Sequence, residues 1–275
     1  MFRNSLNKIL GKNRILKIKL YLKSITGNYL TNKVLASKQE YIQLFENCLK
    51  NNNLSNFIET NFSKKEIDFI NNLALLTQIV KKKSELNFNH GFFLHRYLNN
   101  YLNKNKNEKI VILETGTARG FTSIIMASLL YDLKIQSAIH TIDIIPHNKK
   151  ILWNCISDPK YGKLSRKSLL KDYEKFLKYI NFHKGTSKDV LNKMKIDRIN
   201  FSFLDSAHDY EDVRFEFNYV KNRNKKGDVI FLDDVTSGSF DGVIKLVNEI
   251  KEENLYFITL LDSDPKRGYA LLERK

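Results

Sequence analysis

Three aspartates and a histidine are the residues of this sequence best placed to do chemistry. The stretch FLDSAHDY supplies Asp205 and, three residues later, His208, and FLDDV supplies Asp233 and Asp234. Each acid follows a short apolar run of strand length, so each stands where a strand finishes. From two adjacent strands, Asp205, Asp233 and Asp234 would converge on one spot and repel strongly. A cation resolves that repulsion, and an all-oxygen ligand set selects a hard ion such as Mg²⁺, Ca²⁺ or Mn²⁺. A histidine titrating near neutrality is suited to take a proton from a hydroxyl held beside such an ion. The plainer alternative for His208 is a partner in Asp209 or in the backbone.

A second constellation lies in IVILETGTARGFTS, residues 110–123. Val111, Ile112 and Leu113 have the branching of a buried strand and end in Glu114. Gly116 and Gly120 follow, then an apolar helical run from Ile124 to Leu130. A strand, a glycine turn and a helix expose backbone and a positive helix end at the carboxyl edge of a parallel sheet, where such folds bind nucleotide-like ligands. The spacing is not the G-x-G-x-x-G of a dinucleotide site, because position 118 is Ala and Arg119 precedes the second glycine. Glu114 would also repel a diphosphate, while suiting a ligand that carries an amino group. A lone G-x-x-x-G can equally serve packing alone.

Further polar residues close other strands. Asp143 follows HTI about twenty residues beyond the turn, the distance at which a carboxylate meets a ribose diol in nucleotide-binding sheets. Gly185, Thr186 and Ser187 close a strand near Asn181–Lys184. One such residue commonly caps the next helix, and Asp234 is a case in point. Five successive strands ending this way indicate a ligand-binding edge.

E-x-G-x-x-x-G after a strand resembles the first motif of class I S-adenosylmethionine-dependent methyltransferases. FLDSAHDY with FLDDV resembles the metal-dependent O-methyltransferases, both the catechol type and the bacterial sugar-modifying type. The resemblance covers roughly residues 105–275. It implies a Rossmann-like α/β fold with a mostly parallel seven-stranded sheet, helices on both faces and a closing antiparallel hairpin. It implies S-adenosylmethionine as cofactor, held by Glu114, Gly116, Thr117, Gly120, Thr122, Asp143, Thr186, Ser187 and Asp205, with Mg²⁺ on Asp205, Asp233 and Asp234 and His208 as base. Where the catechol enzymes usually have Asn as the last metal ligand, this chain has Asp234. The implied acceptor is a small-molecule or glycan hydroxyl. Two other readings remain: a hydroxylase-like protein of the same fold, since fold does not fix chemistry, and a binding module that uses the sheet as scaffold.

The elements that must position these residues divide near NKNKNEK, residues 103–109, which has no apolar side chain. This sets a helical region at 1–104 against a strand-and-helix domain at 105–275. In the former, Ser63 and Glu66 spell a capping box before Ile67, Ile70, Leu73 and Leu76. A second helix is expected from Phe92 to Leu102. His90 and His95 fall on different faces, so a shared metal site is not expected. In the latter, strands are expected at 110–114, 137–143, 181–184, 200–204, 228–232, 255–261 and 269–273. Helices are expected at Arg166–Tyr179, Glu211–Lys221 and Asp241–Glu252. The N-terminal helices and the segment Pro146–Leu164, with His147, Trp153 and Tyr161, are the expected lid.

The 275 residues and 42% hydrophobic content suffice for one sizeable core. Cys48 and Cys155 lack metal-ligand spacing and suit a reducing cytosol, so the expectation is a soluble, cytoplasmic protein without a disulfide. The net charge of +16 would ordinarily point to nucleic acid. Nine of those charges lie in residues 1–39, which hold no acid, and only seven remain for the rest. Nucleic acid is therefore not the expected partner. The segment Ile15–Ile25 reads as an amphipathic helix that either packs on its own domain or touches an anionic membrane surface.

Overall fold

A computed structural model of the chain describes residues 29–106, 108–205, 209–236, 238–264 and 267–275. The helix expected at 15–25 and the proposed base His208 both lie outside the described residues.

The helical region consists of α1 (Lys38–Lys50), α2 (Ser55–Asn61), α3 (Lys64–Thr77) and α4 (Asn89–Lys104). Ser63 and Glu66 form the expected capping box at α3, and Ser37 with Glu40 forms a second at α1. Each pair satisfies two helix-start N–H groups reciprocally. There follow β1 (Ile110–Thr115), α5 (Phe121–Asp132) and β2 (Ser137–Asp143), then the short helices α6 (Asp158–Tyr161), α7 (Arg166–Leu169) and α8 (Glu174–Leu177). The chain continues through β3 (Ile180–Lys184), α9 (Ser187–Leu191), β4 (Phe201–Leu204), α10 (Tyr210–Lys221), β5 (Val229–Leu232), α11 (Asp241–Glu253), β6 (Tyr256–Asp264) and β7 (Arg267–Arg274).

The single helix expected from Arg166 to Tyr179 is instead broken at Leu170 and Tyr173, whose backbones leave the helical region. The bends serve contacts in different directions. Arg166 reaches the carbonyl of Ala118, Leu170 packs over Gly120, and Phe176 meets Phe69 of α3 edge-on.

The seven strands run in the order β3-β2-β1-β4-β5-β7-β6. The first five are parallel, and β7 is antiparallel to both β5 and β6. Side chains alternate between two cores as the period of two requires. Ile112, Phe201, Phe203 and Phe231 enter the core shared with α3, α4 and α5, whereas Leu113, Leu204, Ile230 and Leu232 enter the core under α10 and α11. Residues of α1, α3 and α4 belong to the first of these cores, so the polar link at 103–109 joins elements with a common interior. Among the described residues no helix is long and apolar enough to cross a membrane.

Candidate active site

The strand order changes direction at β1, whose two neighbours are β2 and β4. Chains leaving those strands diverge and open a crevice at the carboxyl edge. The glycine turn lies there. Gly116, Ala118 and Gly120 adopt φ of 95°, 45° and 93°. At Gly120 a Cβ would stand 2.8 Å from Leu170 Cδ1, so both conformation and space require glycine. The N–H groups of Gly116 and Thr117 donate to Ile142 O, that of Ala118 to Asp143 Oδ2 at 2.5 Å, and that of Gly120 to Thr117 O. A turn that satisfies its amides internally is no phosphate cradle, in accord with the missing dinucleotide spacing.

Glu114 does not meet this crevice. It is fully buried, and its carboxylate accepts hydrogen bonds from the hydroxyls of Thr122 and Ser123 in α5 and of Thr141 in β2. Thr117 is buried with it and shares a hydrogen bond with Thr141. Burial raises the Glu114 pKa while the three hydroxyls oppose the rise. Glu114, Thr117 and Thr122, expected among the cofactor-holding residues, are placed in one buried hydrogen-bonded network that ties the turn to β2 and α5, because inward hydroxyls surround the acid at its strand end.

Asp143 closes β2, as expected, and its side chain retains about 10% exposure. Its oxygens accept from the N–H of Ala118 and of Ile145, the latter at 2.6 Å, and Arg166 stands 3.9 Å away. Burial raises its pKa, and Arg166 is the largest opposing influence. A carboxylate has about four acceptor directions, so it can still take a ribose hydroxyl. Thr186 caps α9, accepting from Asp189 N at 3.1 Å, and Ser187 is the first residue of that helix. Both lie at the β3 end, beyond the Gly185 N–H that donates to Asp143 O.

The acids at the ends of β4 and β5 do come together. Asp205 N donates to Thr115 O and Asp233 N to Leu204 O, which sets the two strand ends side by side. Burial, then the charges of Asp233 and Asp234, push the Asp205 carboxyl well above the usual range. Between them comes a residue the sequence reading missed. Arg267, first in β7, places Nη2 3.0 Å from Asp233 Oδ2 and Nε 3.4 Å from Asp234 Oδ1. Asp233 Oδ1 accepts from Asp234 N at 2.7 Å. Asp233 is thereby held below its ordinary pKa against a strong burial penalty, and its charge drives Arg267 upward. A signal was available: an antiparallel strand starts at the edge where the parallel strands end, so its first side chain falls among theirs.

This arrangement does not fit a three-carboxylate metal site. Both oxygens of Asp233 are engaged, and Asp234 lies against the same guanidinium. Among the described residues no group of three or more His, Cys, Asp or Glu is arranged to hold a metal ion.

Two further residues adjoin the cluster. His90 of α4 is buried, stacks on Phe203 and has its pKa lowered to about 4 by burial, with Asp233 the largest opposing charge. Lys82, in the connection between α3 and α4, is close enough that Arg267 and Asp234 both act on it. Its pKa is lowered, first by desolvation and then by Arg267. Lys82 also lines a cavity of about 450 Å³ between α1 and that connection, which presents the amides of Asn47, Asn51, Asn52, Asn53, Asn87 and Asn89. Asn52 and Asn89 hydrogen-bond to each other at 2.9 and 3.2 Å. The α3–α4 connection is fixed to the chain beyond β2, for Asn154 Oδ1 accepts from Lys81 N and from Tyr41 of α1. In the segment Pro146–Leu164, expected as part of a lid, the aromatic side chains lie apart. Trp153 is fully buried and donates to Leu164 O, Tyr161 is exposed, and His147 stacks on Phe182 at 3.8 Å.

Sheet order, glycine turn and polar strand ends together define a class I methyltransferase fold. Residues 113–235 match the model of a family described as a methyltransferase domain. No curated protein matches the chain. Among solved structures, cofactor-bound Rv0187 from MTB superposes with a TM-score of 0.53 at 16% identity, over 77% of this chain and 90% of that one. The SAH-bound methyltransferase PaMTH1 of Podospora anserina gives 0.51 at 13%, over 90% and 100%. The O-methyltransferase NovP gives 0.51 at 14%, over 71% and 83%. At these identities the likeness is one of fold.

Proposed function

We propose that this protein transfers the methyl group of S-adenosylmethionine to a hydroxyl of a polyhydroxylated acceptor such as a sugar. The observation that carries the reading is the switch point at β1, where the glycine turn, Asp143 and the acids of β4 and β5 stand along one edge of the sheet. The family match over residues 113–235 and a fold shared with NovP support methyl transfer to oxygen. The asparagine-lined cavity that Lys82 also borders supports a neutral acceptor rich in hydroxyls, because amides both donate and accept.

When bound, S-adenosylmethionine supplies an electrophilic methyl group. The turn at Gly116–Gly120 lets the backbone approach it closely, Asp143 takes the ribose hydroxyls, and Thr186 and Ser187 stand beside the adenine. Asp205 closes the crevice between cofactor and acceptor. His208 is the proposed proton acceptor on the strength of its offset from Asp205, and Lys82, whose pKa desolvation lowers, is the alternative. Acceleration comes chiefly from holding oxygen, methyl carbon and sulfur in line. No step is assigned to a divalent metal, because Arg267 already engages the carboxylates that would hold it.

The test is isothermal titration of S-adenosylmethionine and S-adenosylhomocysteine, followed by an acceptor screen read by mass. Micromolar binding weakened at least tenfold by Asp143→Ala, with a product heavier by about fourteen daltons, is the expected result; about sixteen would indicate hydroxylation instead. No binding of either compound overturns the reading.

A further inference from the structure

We infer that Arg267 replaces the divalent cation in this chain: its guanidinium pairs with both Asp233 and Asp234, and the site works without a metal. The geometry carries this. Asp233 is buried, with Oδ1 on the N–H of Asp234 and Oδ2 on Arg267 Nη2 at 3.0 Å. Asp234 is buried as well, and Arg267 Nε stands 3.4 Å from its Oδ1. A Mg²⁺ or Mn²⁺ ion on these carboxylates would sit about 2.1 Å from their oxygens. It would therefore stand beside a guanidinium whose donors already occupy that side. Two like charges so close repel one another strongly.

Arg267 is not a passing surface chain. Val235 N donates to Gly268 O at 2.8 Å and Gly268 N to Thr236 Oγ1 at 2.9 Å, so the backbone next to Arg267 is bonded to the chain that follows Asp234. Arg267 is thus a counter-ion built into the site, which makes it the positioning residue for the carboxylates that border the crevice. The inference takes the purpose of the site from the methyltransferase reading, but its test does not depend on turnover.

The measurement is electron paramagnetic resonance of Mn²⁺, added alone to the EDTA-treated full-length protein, for wild type, Arg267→Met and Asp233→Asn. Wild type is expected to retain no Mn²⁺ at micromolar concentrations, and R267M to bind at least tenfold more tightly because its carboxylates have lost their partner. One equivalent bound by wild type at micromolar concentration and lost in D233N overturns the inference. So does an R267M protein that folds, by circular dichroism, and binds no more Mn²⁺ than wild type. Should R267M fail to fold, Arg267→Gln replaces it with the same two outcomes. Titration of S-adenosylhomocysteine in EDTA separates the two readings. Binding unchanged by EDTA agrees with a metal-free site, loss of binding in EDTA counts against it, and absence of binding under every condition refutes the methyltransferase reading alone.

Discussion

Glu114 distinguishes a ligand contact from a structural strut, and its removal gives opposite results in the two cases. Glu114→Ala takes the common acceptor from the hydroxyls of Thr122, Ser123 and Thr141, all in buried residues. Each hydroxyl left without a partner costs about 1–3 kcal/mol. Thr141 keeps its bond to Thr117, and the variant no longer bears the desolvation of a buried carboxylate. Two stranded hydroxyls cost about 2–6 kcal/mol together, and the relieved desolvation brings the net loss to about 2–4 kcal/mol. For a chain of this size each kcal/mol lowers Tm by about 2–4 °C, so the midpoint should fall by about 10 °C. Calorimetry of wild type, Glu114→Ala and Glu114→Gln measures it. The Gln variant should lose less, because its amide keeps one acceptor and the neutral side chain is cheaper to bury.

The pH dependence adds a second check. Burial raises the folded-state pKa of Glu114 above the ordinary 4.5, so over the interval above 4.5 the folded protein binds more protons than the unfolded one. Stability contributed by the protonated carboxyl is complete below that interval and is lost as pH rises through the folded pKa. Wild type should therefore lose ground to Glu114→Gln as pH increases. An Ala variant within about 1 kcal/mol of wild type that fails to bind S-adenosylmethionine would refute the strut and restore the direct contact.

Gly120→Ala forces a side chain into φ 93° and within 2.8 Å of Leu170, and should cost about 2–3 kcal/mol while weakening cofactor affinity. Adding Leu170→Ala should recover only the steric part, as denaturant titration of both variants will read. Lys82→Met should lower kcat at least tenfold and flatten the limb of its pH profile that rises with pH if Lys82 takes the acceptor proton, with cofactor affinity unchanged. An unaltered profile would leave that role to His208.

What the sequence alone determined is what local patterning specifies. The runs at Ile110–Thr115 and Val229–Leu232 announce strands because burial on both faces demands continuous apolar side chains. Ser63 and Glu66 announce a helix start because the capping bonds close within four residues. Polar residues at successive strand ends mark a candidate ligand edge in the sequence itself. The tertiary structure alone decided what those residues do. Glu114 became internal because three hydroxyls from α5 and β2 meet it, the most distant being 27 residues away. Arg267 came to Asp233, 34 residues off, because β7 reverses direction and starts where β5 ends. Lys82 arrived from another part of the chain on the connection between α3 and α4. Hydrophobic periodicity is repeated in every turn of helix and every pleat, so a short window reveals it. A charge pair forms once, wherever the folded backbone brings two side chains together, and no window on the sequence contains both partners and the path between them.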